Sequence, residues 1–199
     1  MRMERGLLVS GSRTTERALA LSVSNLRRLS MAKQSPSDLQ NRAASLIEAA
    51  HSHNVTLATA ESCTAGALAN LLANAEGAGD VFHGGFVVYT KENKSKALGV
   101  PAPLIEKHTA VSAEVAKAMV LGALERCPAD IVVSITGVAG PEPDEDGNPV
   151  GLVYIAAARR GGTLVNEEHR FEHKSKGEIC NAAQSQAIEL LQKILLQNG

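Results

Sequence analysis

The sequence has 199 residues, 44% of them hydrophobic and 21% charged, enough for one soluble globular domain with a sizeable core. Its formal net charge of −1 gives no basic field of the kind that dominates nucleic-acid binding, and with 3% aromatic residues and no Trp a base-stacking platform is not expected. No apolar run approaches the roughly 18 residues of a membrane span, and Cys63, Cys127 and Cys180 lie too far apart for a zinc or redox pair, so a reducing, cytoplasmic compartment fits them.

Residues 1–36 carry six arginines, from Arg2 to Arg28, with only Glu4 and Glu16 as acids. They read as a disordered leader or extended N-terminus ahead of a single domain over 37–199. The domain opens at Ser37 and Asp38 with a helix carrying Leu39, Ala43, Leu46, Ile47 and Ala50 on one face, ending near His51 to Asn54. A short strand over Val55 to Thr59 then meets the polar turn Ala60-Glu61-Ser62-Cys63-Thr64-Ala65-Gly66, which leads into an Ala/Leu-rich helix from Ala67. A strand turning sharply into a helix presents its side chains in a cleft beside unpaired N–H groups and the positive end of the helix dipole. Such a place can activate a nucleophile; the alternative is that Ser62 or Thr64 only caps the helix.

A second strand is expected over Val81 to Tyr89, its glycines marking a bulge or a close backbone approach. Thr90 to Gly99 reads as a short helix with three lysines, Pro103 to Lys107 as another, and Ser112 caps a longer one through Leu124. Asp130 to Thr136 is the best central-strand candidate and empties into Gly137-Val138-Ala139-Gly140-Pro141, where a ligand can approach the backbone. The acidic run Glu142 to Asn148 is expected as a flexible rim without a metal-loop spacing. Strands over Val150 to Ala158 and Thr163 to Phe171 flank a Gly161-Gly162 hairpin turn, and a helix over Ser175 to Leu196 closes the chain. This order implies an α/β fold, a three-layer α/β/α sandwich on a mixed, mostly parallel sheet. The loops at Ser62, Tyr89 to Lys94 and Gly137 to Pro141 each follow a strand, so they can converge at the sheet's carboxyl edge, where open α/β sheets bind ligands.

Taken together, the Ala60 to Gly66 turn, Gly85-Phe86-Val87-Val88-Tyr89 with Lys94, Leu98-Gly99-Val100, His108 to Ser112, Gly137 to Pro141 and Pro149-Val150-Gly151 resemble the CinA C-terminal-domain family, the nicotinamide-nucleotide amidohydrolases. The resemblance runs from about Asp38 to Leu195. It implies hydrolysis of the carboxamide of nicotinamide mononucleotide to nicotinate mononucleotide and ammonia, in pyridine-nucleotide salvage. It also implies a nucleophile at Ser62, a lysine partner at Lys94 and a catalytic tyrosine at Tyr89. Glu61, Cys63, Thr64, Gly66, Thr136, Gly137, Val138, Ala139, Gly140 and Pro141 are the expected substrate-binding residues. Neither a metal nor another cofactor is expected, and a homo-oligomer is. One departure is Ala65, where the family's turn usually has a glycine; its methyl is expected to narrow the substrate's approach. The alternative function is a catalytically silent nucleotide-binding or regulatory module linked to competence or DNA damage.

Amide hydrolysis needs a nucleophile, a base and donors for the oxyanion, and backbone N–H groups of the Cys63 to Gly66 turn can supply the last. Lys94 serves as base only if its pKa falls from about 10.4 to roughly 7 to 8, which burial next to Tyr89 can achieve. A phosphate beside it would raise the pKa again, so the phosphate is better placed on the Gly137 to Gly140 backbone or on Lys91. Cys63 is a rival nucleophile and His108 an alternative base, while Glu61 is expected to buttress the turn.

Overall fold

The computed structural model describes residues 36–197, so the segment read as a leader lies outside the described residues except for Pro36. Helix α1 spans Pro36–Ser52, and Leu39, Ala43, Leu46, Ile47 and Ala50 are all buried, as their spacing on one helical face requires. There follow β1 (Leu57–Glu61), α2 (Ala67–Ala73), α3 (Ala78–Val81), β2 (Phe82–Val87), α4 (Lys91–Leu98), α5 (Ala102–His108), α6 (Ala113–Arg126), β3 (Ile131–Gly137), β4 (Leu152–Arg159), β5 (Leu164–Arg170) and α7 (Lys176–Leu196).

The strands form one sheet in the order β2-β1-β3-β4-β5. β1 pairs parallel with β2 and β3, β4 pairs antiparallel with β3 and β5, and four of the five strands therefore point the same way. Successive residues of a strand face opposite sides. In β3, Ile131, Val133 and Ile135 join the core beneath α1, α2 and α7, whereas Val132 joins the core beneath α4, α5 and α6. That alternation gives the three layers and leaves β3 buried on both faces, which is why its sequence is β-branched at every position but Ser134 and Gly137. Burying an Ile or Leu this fully contributes about 2 kcal/mol. Among the described residues, no helix is long and apolar enough to cross a membrane.

Several boundaries differ from the sequence reading by one or two residues, and β2 ends at Val87, short of Tyr89. β1 begins and ends two residues late, because Thr56 is held just ahead of it: its N–H and hydroxyl both donate to Asp130 Oδ2 at 2.8 Å. Val81 closes a one-turn helix instead of opening β2. The register of β1 on β2 jumps between Leu57 and Ala58, which face Phe82 and Gly84, so the expected bulge falls at His83. Gly85 explains the close approach: a Cβ there would stand 2.4 Å from Thr59 Oγ1 and 2.9 Å from Ala69 Cβ. The carboxyl ends of the parallel strands β2, β1 and β3 lie on one edge of the sheet, and the three loops singled out from sequence leave from it.

Candidate active site

β1 ends in Glu61, whose carboxylate is fully buried beneath the turn that starts α2. Its Oε1 accepts from the Thr59 hydroxyl at 3.1 Å and the Ala69 N–H at 2.7 Å; its Oε2 accepts from the Thr64 hydroxyl at 2.7 Å and from the Gly66 and Leu68 N–H groups at 3.1 Å. The N-cap of α2 is Gly66, which has no side chain to satisfy the helix's open N–H groups. The strand's carboxylate does so in its place, with its charge at the positive end of the helix dipole. The Ala65 N–H goes back to the Ser62 carbonyl at 3.0 Å. That leaves the N–H groups of Cys63 and Thr64 without an acceptor among the described residues.

Ala65 is exposed at φ +53°, and it does not line the cleft described below, so it does not narrow the approach as the sequence implied. Its effect is backbone strain, since the left-handed region costs an L residue about 1 kcal/mol. Ala65→Gly should therefore raise stability by about 0.5 kcal/mol, after the extra chain entropy of glycine, seen as a higher urea midpoint at an unchanged slope.

Ser62 follows Glu61, with its N–H on the Ile135 carbonyl at 2.9 Å and only 6% of its surface exposed. Lys94 Nζ lies 2.9 Å from Ser62 Oγ and 3.3 Å from the Val88 carbonyl. The lysine reaches inward from α4, a helix capped by the Thr90 hydroxyl at one end and by Gly99 at the other. It is 1% exposed, and burial lowers its pKa to about 8. Tyr89, expected from sequence to bury it, is itself 62% exposed and makes no hydrogen bond to Lys94 or Ser62. Lys94 is instead enclosed by the sheet edge, with a buried Val88 supplying its second acceptor.

Cys63 is buried in the core beneath α1, α2 and α7, and desolvation pushes its thiol up to about 12. That is the opposite of what a nucleophilic cysteine needs. His108 lies 3.7 Å from Glu114 and does not line the cleft, so it is not placed to act as a base on Ser62.

Ser62 and Lys94 open into a cleft of about 540 Å³ that Cys63, Tyr89, Thr136, Gly137, Val138, Ala139 and Gly140 also line. Glu61, Thr64, Gly66 and Pro141 do not reach it. Glu61 and Thr64 are turned to each other under the turn and act on substrate only through the shape they impose, a correction to their assignment as binding residues. Thr136 is held by its own hydroxyl, which donates to the Ala110 carbonyl at 2.7 Å. Gly140 sits at φ +88°, and the N–H groups of Ala139 and Gly140 have no acceptor among the described residues.

The acidic run is not the free rim expected from sequence. Lys91 Nζ lies 2.7 Å from Glu145 Oε1 and 2.8 Å from Asp146 Oδ1, while Asn148 donates to Asp144 at 2.8 Å and to the Thr109 hydroxyl at 3.1 Å. Residues 142–148 thus form a strap tied to α4 on one side and to the 109–112 loop on the other. Lys91 is committed to it, and the two carboxylates hold its pKa above the usual lysine value. Sequence reasoning missed Lys176, exposed in the first turn of α7 and bordering the cleft. The capping box Ser175 to Glu178 fixes where that helix begins and was the available signal.

Residues 39–195 match the CinA C-terminal domain. The chain belongs to the CinA C-terminal domain family. A CinA-like protein of Desulfotalea psychrophila is 43% identical over 145 residues, which cover 72% of this chain and 34% of that protein. The chain thus spans about a third of the length of the curated relatives it matches. Among solved structures, the competence/damage inducible protein CihA of Agrobacterium tumefaciens superposes with a TM-score of 0.77 at 36% identity, over 81% of this chain and 98% of that one. A CinA superfamily protein of Escherichia coli gives 0.76 at 33% identity, over 82% and 95%. The fold of these two solved chains is therefore present here almost in full.

Proposed function

We propose that this CinA domain hydrolyses the carboxamide of nicotinamide mononucleotide, releasing ammonia and nicotinate mononucleotide. The observation that carries the reading is the buried pair Lys94 Nζ and Ser62 Oγ at 2.9 Å, with the lysine's pKa lowered to about 8. At that value about one lysine in ten is neutral at pH 7, against one in a few thousand for a free lysine.

Neutral Lys94 takes the Ser62 proton as Oγ attacks the carboxamide carbon. The oxyanion is met by the free N–H group of Cys63, which lines the cleft beside Ser62. As the C–N bond breaks, the lysine returns the proton to the departing nitrogen, which leaves as ammonia. The same lysine then activates the water that cleaves the acyl ester and regenerates Ser62.

The phosphate must be met away from Lys94, because an anion there would restore its charge. With Lys91 bound to the strap, the free N–H groups of Ala139 and Gly140 and the ammonium of Lys176 are donors that line the cleft away from Ser62 and Lys94 in sequence. Lys176→Ala is expected to raise KM for the mononucleotide about tenfold, a typical value for one lost charged hydrogen bond, and to change KM for nicotinamide riboside by less than twofold.

Ammonia release by the full chain in the presence of a chelator tests the main reading. Ser62→Ala should abolish release while keeping nucleotide binding, and Cys63→Ala should keep most of the rate. Binding without turnover in the wild type would sink the amidase reading and leave a nucleotide-binding module.

A further inference from the structure

Tyr89 stands apart from the rest of the cleft. The residue before it is pinned on both sides: the Val88 N–H donates to the Glu61 carbonyl at 2.8 Å, and the Val88 carbonyl accepts from Lys94 Nζ. One step further Tyr89 stands 62% exposed while lining the cleft. An aromatic ring that gains so little from the core, on a backbone held rigid beside the catalytic lysine, is a surface for a ligand. The strap in the same cleft carries Glu142, Asp144, Glu145 and Asp146, the single charge of Lys91 is shared between Glu145 and Asp146, and with Glu92 the cleft's carboxylates outnumber its lysines, Lys91, Lys94 and Lys176. An aromatic face and a surplus of negative charge both favour a flat cation.

We propose that Tyr89 is the platform on which the substrate's ring stacks, and that with the acidic strap it makes the site select a positively charged pyridinium carboxamide over its neutral dihydropyridine form. The inference rests on the amidase reading and deepens it by naming what distinguishes the substrate class. It also gives the tyrosine a binding role in place of the catalytic one the resemblance implies. Stacking a cation on the ring has a second consequence for the chemistry: a positive charge near Lys94 disfavours the protonated lysine and so favours the base.

The two ring forms of the mononucleotide share carboxamide, ribose and phosphate, and differ by one hydride and therefore by one charge. Their dissociation constants for the Ser62→Ala variant, which does not consume either, report the selectivity without the chemistry. The oxidised form is expected to bind about tenfold more tightly than the reduced form. Adding Tyr89→Ala should bring that ratio down at least threefold, and Tyr89→Phe, which keeps the ring, should restore it. An unchanged ratio in the Tyr89→Ala background overturns the proposal. So does a Tyr89→Phe enzyme that loses turnover at unchanged affinity, because its hydroxyl would then take part in the reaction. Wild-type turnover of the mononucleotide combined with a ratio near one overturns this inference alone; no turnover and no binding overturn the amidase reading along with it.

Discussion

Ammonia release from nicotinamide mononucleotide, followed as kcat/KM against pH, is expected to rise through an apparent pKa near 8, and Lys94→Ala should lose that limb together with about a thousandfold in rate. The sign follows from the base being the neutral lysine: activity grows as the pH climbs and the buried ammonium gives up its proton. Lys94→Arg should not rescue, because guanidinium stays protonated and is too large for a side chain that is 1% exposed. The same shift has a cost in stability. With the folded pKa near 8 and the unfolded one near 10.5, the unfolded chain holds more protons between those values, so wild-type stability should increase as pH rises across that window. Below pH 8 the full penalty applies, about 3 kcal/mol. Lys94→Met should therefore be inactive yet more stable at pH 7 by about 1–3 kcal/mol. A rate profile flat above pH 6, with Lys94→Arg retaining kcat, would show that the lysine serves charge and not proton transfer.

The layers of the fold were legible because they follow from periodicity. The face of α1 and the continuous run Ile131 to Ile135 need no knowledge of partners to be recognised as buried. Ser62 and Lys94 were legible for a different reason, the family motifs around them, since nothing in a Lys91-Glu92-Asn93-Lys94 run says which lysine turns inward. What the sequence hid are contacts between distant segments. Lys91 and Asp146 are 55 positions apart, so the strap read as a loose rim and Lys91 as an available phosphate ligand. The exposure of Tyr89 was equally hidden, because a tyrosine at the end of an apolar run reads as part of the strand. Glu61 was placed in the turn, since a carboxylate is not expected inside a fully buried strand. Only the five donors that converge on it make that position tolerable.

Those five donors set the largest stability effect expected in the molecule. Glu61→Ala leaves the Thr59 and Thr64 hydroxyls and the N–H groups of Gly66, Leu68 and Ala69 without their acceptor, and removes a negative charge from the start of α2. Each unsatisfied buried donor costs about 1–3 kcal/mol, and water entering the space offsets part of the sum, so a loss of about 4 kcal/mol is expected in urea unfolding. Glu61→Gln separates acceptor number from charge. Turned so that its amide nitrogen takes the place of Oε1, it keeps the three bonds at Oε2, lets the Thr59 hydroxyl reverse its direction, and loses only the Ala69 bond; the expected cost is about 2 kcal/mol. Both variants should also lower kcat in the fraction that remains folded, because the carboxylate holds the turn that carries Ser62 and the free N–H group of Cys63. If Glu61→Gln kept full kcat with its stability reduced as expected, the turn would be shaped by Ser62's own bond to Ile135 and not by the carboxylate beneath it.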